Sequence, residues 1–431
     1  MNNPRPQKGA AILMFVVLFL MASLSLVLTI GSGVYKDLAR YRVLLEGKKS
    51  FYGAEAGIED ALYRHVQAES YSNTESFAFD GVAVSVTRTA AGSTFEFLSE
   101  GDMSGAARRS ELVLAIGSGA SFNFGLQSGN GGIIMENTSS VVGNVFSNGT
   151  VEGSGNMVYG DIISAGPSGL VEGVHATGSA WAHTIDNSTI DKNAYYQVKT
   201  ATIVGGTSFP GSPDQATATM PISDAQIETW KGEALAGGVI APTDPRCSGG
   251  TYLIDTDTTI GPVKIECNLI VDKNSTDLYL RGAVWVMGNI DIKNNANIRI
   301  DASIPGKSVA IVADNPSNRT SGSKIMLQNG STFYGNGSNS FILLISQNNS
   351  SELGGSEYAI TCQNSVSGKL LLYAAHGRAH IQNSASLKEL TAHKIHLQNS
   401  AQIIYESGLV NLLFTSGPGG GYVITSWKET P

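Results

Sequence analysis

Residues 359–364 read AITCQN, residues 378–383 read RAHIQN and residues 394–399 read KIHLQN. In each, small or apolar residues stand one and three places before Gln-Asn: Cys362 and Ile360, Ile381 and Ala379, Leu397 and Ile395. Alternation with period two at a fixed offset puts those side chains on one inward face of a strand. The polar pair recurs as Lys293-Asn294, Gln328-Asn329, Gln347-Asn348, Gln363-Asn364, Gln382-Asn383 and Gln398-Asn399, in steps of 35, 19, 16, 19 and 16 residues. One strand per turn, stacked coil on coil, predicts a β-helix or β-solenoid of about 17–18 residues per coil, with 35 residues counting as two coils. Asn294, Asn329, Asn348, Asn364, Asn383 and Asn399 are then a structural corner ladder, because Asn tolerates left-handed backbone angles and can bond its copy in the next coil. A sugar-binding row is the functional alternative.

Upstream, VVGNVFSNG at 141–149 matches VYGDIISAG at 158–166 with an offset of 17. The reading is a first solenoid part over 119–175, an irregular insertion over 176–250, the main solenoid over 251–417 and a tail over 418–431. The insertion holds one helical pattern, MPISDAQIETWKGEALAG, with Ser223 or Asp224 at its cap. The fold class is mainly β, in a chain too long for one compact core.

Composition agrees. Of 431 residues only 15% are charged, while 50 are Gly and 28 are Asn, a turn-dense bias. With 28 basic and 36 acidic side chains the net charge is −8, which excludes a nucleic-acid partner of the usual basic kind. Three Cys exclude a disulfide scaffold or a Cys-only zinc site.

At the other end of the chain, residues 10–30 read AAILMFVVLFLMASLSLVLTI, 21 positions without a charge. As a helix this run is roughly 32 Å long, enough for a bilayer core. Arg5 and Lys8 precede it, which places the N-terminus in the cytoplasm and the rest of the chain outside, in a single pass. The run is too long for a cleaved secretory signal, and helical sequence continues to about residue 65 without a Pro. Leu44, Leu45, Phe51, Tyr52, Ile58, Leu62 and Val66 suggest an apolar stripe, read as the core face for a small sheet over residues 69–118. Three strand-like runs follow between residues 76 and 116.

A short basic leader ending in Lys8-Gly9, then a helix running on past the membrane, resembles a class III (type IV prepilin) signal. The segment FYGAEAGIEDALYR at 51–64 is similar to that of PilX-type minor pilins. The resemblance covers about residues 5–116. It implies cutting by a prepilin peptidase between Gly9 and Ala10, assembly with other pilin-like subunits, and a pilin-like helix and antiparallel sheet. Most major pilins carry Glu at the fifth mature place; here it is Met14, so the resemblance implies a minor subunit.

Catalytic and metal chemistry is not prominent. His380 and His396 each precede a polar pair by two residues and lack further ligands in register. The GKS tripeptide at 306–308 lacks a P-loop's first glycine and following helix. No pair of carboxyls is placed for glycoside cleavage. Cys247 and Cys267, both in the exported part, are the candidate disulfide, and Cys362 occupies an inward position. No cofactor is implied. The expected function is a non-catalytic, membrane-anchored surface protein, a minor pilin or pseudopilin displaying its β-helix for adhesion to surface polysaccharide or envelope proteins. The competing readings are an uncleaved anchored solenoid and a polysaccharide-active β-helix enzyme.

Overall fold

A computed structural model describes residues 8–66, 72–91, 94–117, 119–120, 122–406, 409, 412–414 and 421–430. The chain forms two units, Met1–Ala115 with Ile424–Pro431, and Ile116–Val423.

In the first unit, helix α1 (Lys8–Val66) runs unbroken through Gly31 and Gly33. Its second half lies on an antiparallel sheet of strands Thr74–Phe79, Val82–Ala91, Thr94–Asp102 and Arg108–Gly117. The first of the three expected runs divides at Asp80-Gly81, where φ of 48° and 81° makes the two-residue hairpin turn that Asp-Gly favours. The expected apolar stripe is not the buried face: Leu44, Leu45 and Tyr52 are exposed, Phe51 and Leu62 are half-buried, and Ile58 alone among the described side chains of the stripe is buried, that of Val66 lying outside them. The buried face is Gly47, Ser50, Gly53, Ala54, Gly57, Ile58, Ala61 and His65. Small residues are required because the helix rests almost on the strands. A Cβ on Gly57 would stand 2.2 Å from Ser99 Oγ, and one on Gly53 would stand 2.7 Å from Val82 Cγ1.

The segment read as a tail supplies a fifth strand, Gly421–Thr430, beside Arg108–Gly117. Thr425 Oγ1 donates to Val113 O at 3.0 Å, and Trp427 Nε1 donates to Glu55 Oε2 at 3.0 Å. Lys428 pairs with Glu111 and Arg108 with Glu429. Alternation is weak in this strand and most of its described side chains are exposed, so no core-facing period marks it in the sequence.

The second unit is built on parallel pairing, most of it within one 28-stranded sheet. One inner row shows the principle. Tyr252, Leu269, Ile290, Ile325, Ile360, Ala379 and Ile395 pair in succession, residue on residue. Ile395 then pairs with Ile133, and the row continues through Val151, Val171 and Ile185 to Lys199. The chain therefore enters this stack at its middle: residues 133–199 extend one way from the junction and residues 252–395 occupy the other side. The row closes on Lys199, an exposed charge at the end of the stack, which discourages another strand from adding there.

Two expectations are corrected by this register. The 35-residue interval from Ile290 to Ile325, and again to Ile360, is one pairing step rather than two coils. Long excursions between strands lengthen the step without disturbing the stacking. Residues 176–210, read as irregular, carry short strands that pair at a step of 14, as Ala180 with Ala194 and Ala194 with Ser208. Strands of two or three residues are too short for a visible alternation, and the change from 17 to 14 breaks the repeat.

Helix α2 (Asp224–Ala236) is capped by Ser223, whose side chain accepts from Gln226 N. Ile227, Trp230 and Ala234 bury it in a second core with Phe341, Leu343, Tyr373 and Phe414. Beneath it, Lys231 Nζ lies 2.7 Å from Asp314 Oδ2, and Arg319 grips the same carboxylate at 2.7 and 2.8 Å. Burial works to raise the Asp314 carboxyl, but the bonds from Arg319 and Lys231 outweigh it and hold it below its ordinary range. Glu389 is the opposite case: fully buried, with Thr391 Oγ1 the one donor to it among the described residues, its carboxyl is pushed well above the usual range by desolvation.

Two outcomes follow from these contacts. Gly57→Ala will overpack the helix–sheet seam and destabilise the first unit by about 1–3 kcal/mol, read by hydrogen exchange of residues 82–89. Glu389 keeps a proton that the unfolded chain loses near pH ~4.3, so its effect is most favourable below that pH and declines as pH rises toward its folded value. Glu389→Gln removes the decline: the melting temperature of the second unit rises at pH 8 and is unchanged at pH 4.

Candidate functional site: the apolar helix segment and the amide ladder

The first half of α1 presents its apolar side chains outward all round, Met14 and Phe15 among them. It includes a stretch long and apolar enough to cross a membrane. Its four serine and threonine hydroxyls are satisfied within the helix: Ser23 donates to Leu20 O at 3.0 Å, Ser25 to Ala22 O at 2.8 Å, Thr29 to Ser25 O at 2.6 Å and Ser32 to Thr29 O at 2.9 Å. A polar side chain that returns its proton to its own helix costs little in hydrocarbon. Gly9 and Ala10 lie in the first turn of α1, with Met14 one turn further along.

On the second unit, five of the six predicted Asn positions come together. Asn294, Asn329, Asn364, Asn383 and Asn399 all adopt left-handed backbone angles, with φ between 52° and 58°. Each amide donates to the carbonyl of its neighbour: Asn329 to Asn294 at 3.1 Å, Asn364 to Asn329 at 3.0 Å, Asn383 to Asn364 at 2.9 Å and Asn399 to Asn383 at 3.0 Å. Two members were missed in the sequence. Asn137 donates to Asn399 at 3.0 Å across the junction, and Asp272 accepts from Asn294 at 2.6 Å at the other end. The Asn137-Thr138 pair resembles Asn399-Ser400, and that was the available signal; Thr138 and Ser400 hydroxyls do meet at 2.9 Å. Alongside runs a second amide row: Gln398, Gln382, Gln363 and Gln328, ending on Asp291.

Asn348 is not in the ladder. It is buried, and its amide donates to Gly322 O at 2.8 Å and Thr320 O at 3.3 Å, holding the excursion that carries Arg319. It follows strand Ile342–Ser346, which pairs with Val309–Ala313 and Leu370–Ile381 in a different row, so the same dipeptide occurs on two faces.

Next to the amides, Tyr358, His380 and His396 stack ring on ring at 5.1 and 4.8 Å. His396 Nε2 lies 2.9 Å from Glu136. Burial, with the neighbouring His396 next, lowers the pKa of His380, so it is a neutral stacked ring at physiological pH. Elsewhere His376 bridges Glu352 at 2.7 Å and Asp224 at 3.3 Å, tying the start of α2 to a loop. Among the described residues no group of three or more His, Cys, Asp and Glu is placed to hold a metal ion. Cys247 and Cys267 are joined by a disulfide with Cα atoms 6.0 Å apart, while Cys362 is free and buried. A second ring stack, Trp181–Tyr195–Phe209, has centroids 5.0 and 4.6 Å apart and was not singled out from the sequence. Its spacing of 14 is the step of that region.

No known protein family matches the chain, and no curated protein matches it. Among solved structures, the competence-associated pilin ComZ from Thermus thermophilus aligns at 11% identity, covering 89% of this chain and 97% of its own, with a TM-score of 0.34. A score that low carries no argument about this chain.

Asn364 tests the ladder. Asn364→Ala loses two amide bonds and leaves a Cβ residue at a left-handed angle, for a loss of about 2–4 kcal/mol. Asn364→Gly keeps the backbone at ease and will lose about half as much. Denaturant unfolding followed on the second unit gives that order; equal losses would mean that the angle is unstrained.

Proposed function

We propose that the chain is a membrane-anchored, pilin-like minor subunit whose second unit is a parallel β-helix displayed outside the cell for adhesion or docking. The observation that carries the reading is α1: one unbroken helix, bare and apolar in its first half, seated through a seam of small residues on an antiparallel sheet in its second. That is the division of labour of a pilin-type subunit, in which one helix serves both as membrane anchor and as spine of a soluble unit. In-register parallel pairing at steps of 14 to 35 residues supports the β-helix.

The leader Lys8-Gly9 fits a prepilin peptidase, which on this reading cuts between Gly9 and Ala10. With Met14 where major pilins place a carboxylate, an amine at Ala10 of a neighbouring copy would find no counter-charge in a hydrocarbon core. Repeated self-stacking is therefore unfavourable, and a place at low copy number among other pilin-like subunits is the better fit. The amide rows give the outer surface a polar, nearly uncharged strip suited to sugars or envelope proteins.

Intact mass and N-terminal sequencing after co-expression with a prepilin peptidase test the proposal. A chain beginning at N-methylated Ala10 is the expected result, and Gly9→Val will abolish it. A chain still beginning at Met1 sinks the reading and leaves a static anchor.

A further inference from the structure

The first unit's sheet is completed by chain that has already passed through the second unit. Strand Arg108–Gly117 leads into that unit, and its neighbour Gly421–Thr430 emerges from it. Within the second unit the two crossing points are held together: Gly119–Ala120 pairs antiparallel with Leu412–Leu413, and Phe122 N donates to Leu409 O at 3.0 Å. Folding of the stack brings these points together because residues 126–142 pair with strands between 389 and 404.

We propose that this arrangement makes the anchor unit a reporter of the second unit's fold. With the stack formed, the fifth strand is presented to its partner across a link of a few residues. With the stack unfolded, the same two strands are joined by a loose loop of roughly 300 residues. Loop-closure probability falls as the three-halves power of length, so the strand's effective concentration falls on the order of 100-fold. The strand has little to compensate with. Among its described side chains Ile424 and Trp427 remain exposed, and the ties are the polar ones to Val113, Glu55, Glu111 and Arg108. A chain whose stack has failed thus carries an anchor unit with an open edge at Arg108–Gly117, a surface for strand addition that the finished protein does not offer. The device distinguishes finished from unfinished copies at the membrane unit, without any contact to the amide ladder.

Hydrogen exchange by mass spectrometry on the full chain in detergent tests this with two variants. Leu372→Asp puts a charge in the core of the stack, where Leu372 is fully buried. Those amides of residues 108–117 that face the fifth strand, about half of them, should then exchange on the order of 100-fold faster, while the amides bonded to Thr94–Asp102 and residues 82–89 keep their protection; the same edge amides are read in both variants. Native protection of 108–117 in a variant whose residues 370–381 are unprotected overturns the proposal. Thr425→Pro removes a strand N–H and leaves the stack alone. It should unprotect 108–117 with 370–381 unchanged; retained protection would mean that another element covers that strand, and the proposal fails.

Discussion

Parallel, in-register stacking of like on like is the constraint on which the second unit rests. A strand in such a stack satisfies its backbone only if the next strand arrives alongside it in the same direction and phase. Side chains then fall on their counterparts: isoleucine on isoleucine along the inner row from Ile290 to Ile360, amide on amide from Asn294 to Asn399. The inner row excludes water, and the outer rows use the side-chain amide, a polar group that can both donate to and accept from its own copy. Aspartate terminates both amide rows at one end, because it accepts from an amide but offers nothing onward. Since only the strands are constrained, the connections between them are free to vary, from tight corners at a step of 14 to the excursion that carries Arg319 and grips Asp314.

The first unit solves a different packing problem. Its helix does not interdigitate large side chains with the sheet; glycine, alanine and serine let it lie nearly against the strands, with Gly101 admitting Ser50 O from the other side. The consequence is that the apolar residues of the helix's second half are largely on the outside. Glu55, in the middle of the small-residue segment, is used as an acceptor for Ser110 and Trp427 rather than being solvated. A hydrophobic stripe read at helical spacing presumes ordinary packing distance, and here that presumption failed for Leu44, Leu45 and Tyr52.

Much of the local architecture was legible because it has local causes. The Gln-Asn series announced strands with an inward face and a left-handed corner, since period-two alternation and the conformational tolerance of Asn are properties of a few consecutive residues. The apolar run at 10–30 announced a helix long enough for a bilayer on length and composition alone. Asn348 shows the limit: the dipeptide is the same, but its strand belongs to another row, and only burial and partners separate the two.

What the sequence by itself determined is the alternating strands of the Gln-Asn series, their corner chemistry and the apolar helix, all fixed by neighbours in the chain. What only the tertiary structure decided is the order in which the pieces stack. Residues 133–142 lie against 395–404, some 262 positions away, and the ladder crosses that junction through Asn137 and Asn399. The fifth strand of the first sheet likewise comes from beyond the whole second unit. Either strand edge could satisfy its backbone with any parallel neighbour, so periodicity cannot choose among them. The choice is made by which ends the folded chain can bring together, and that is a property of the assembled core rather than of any segment.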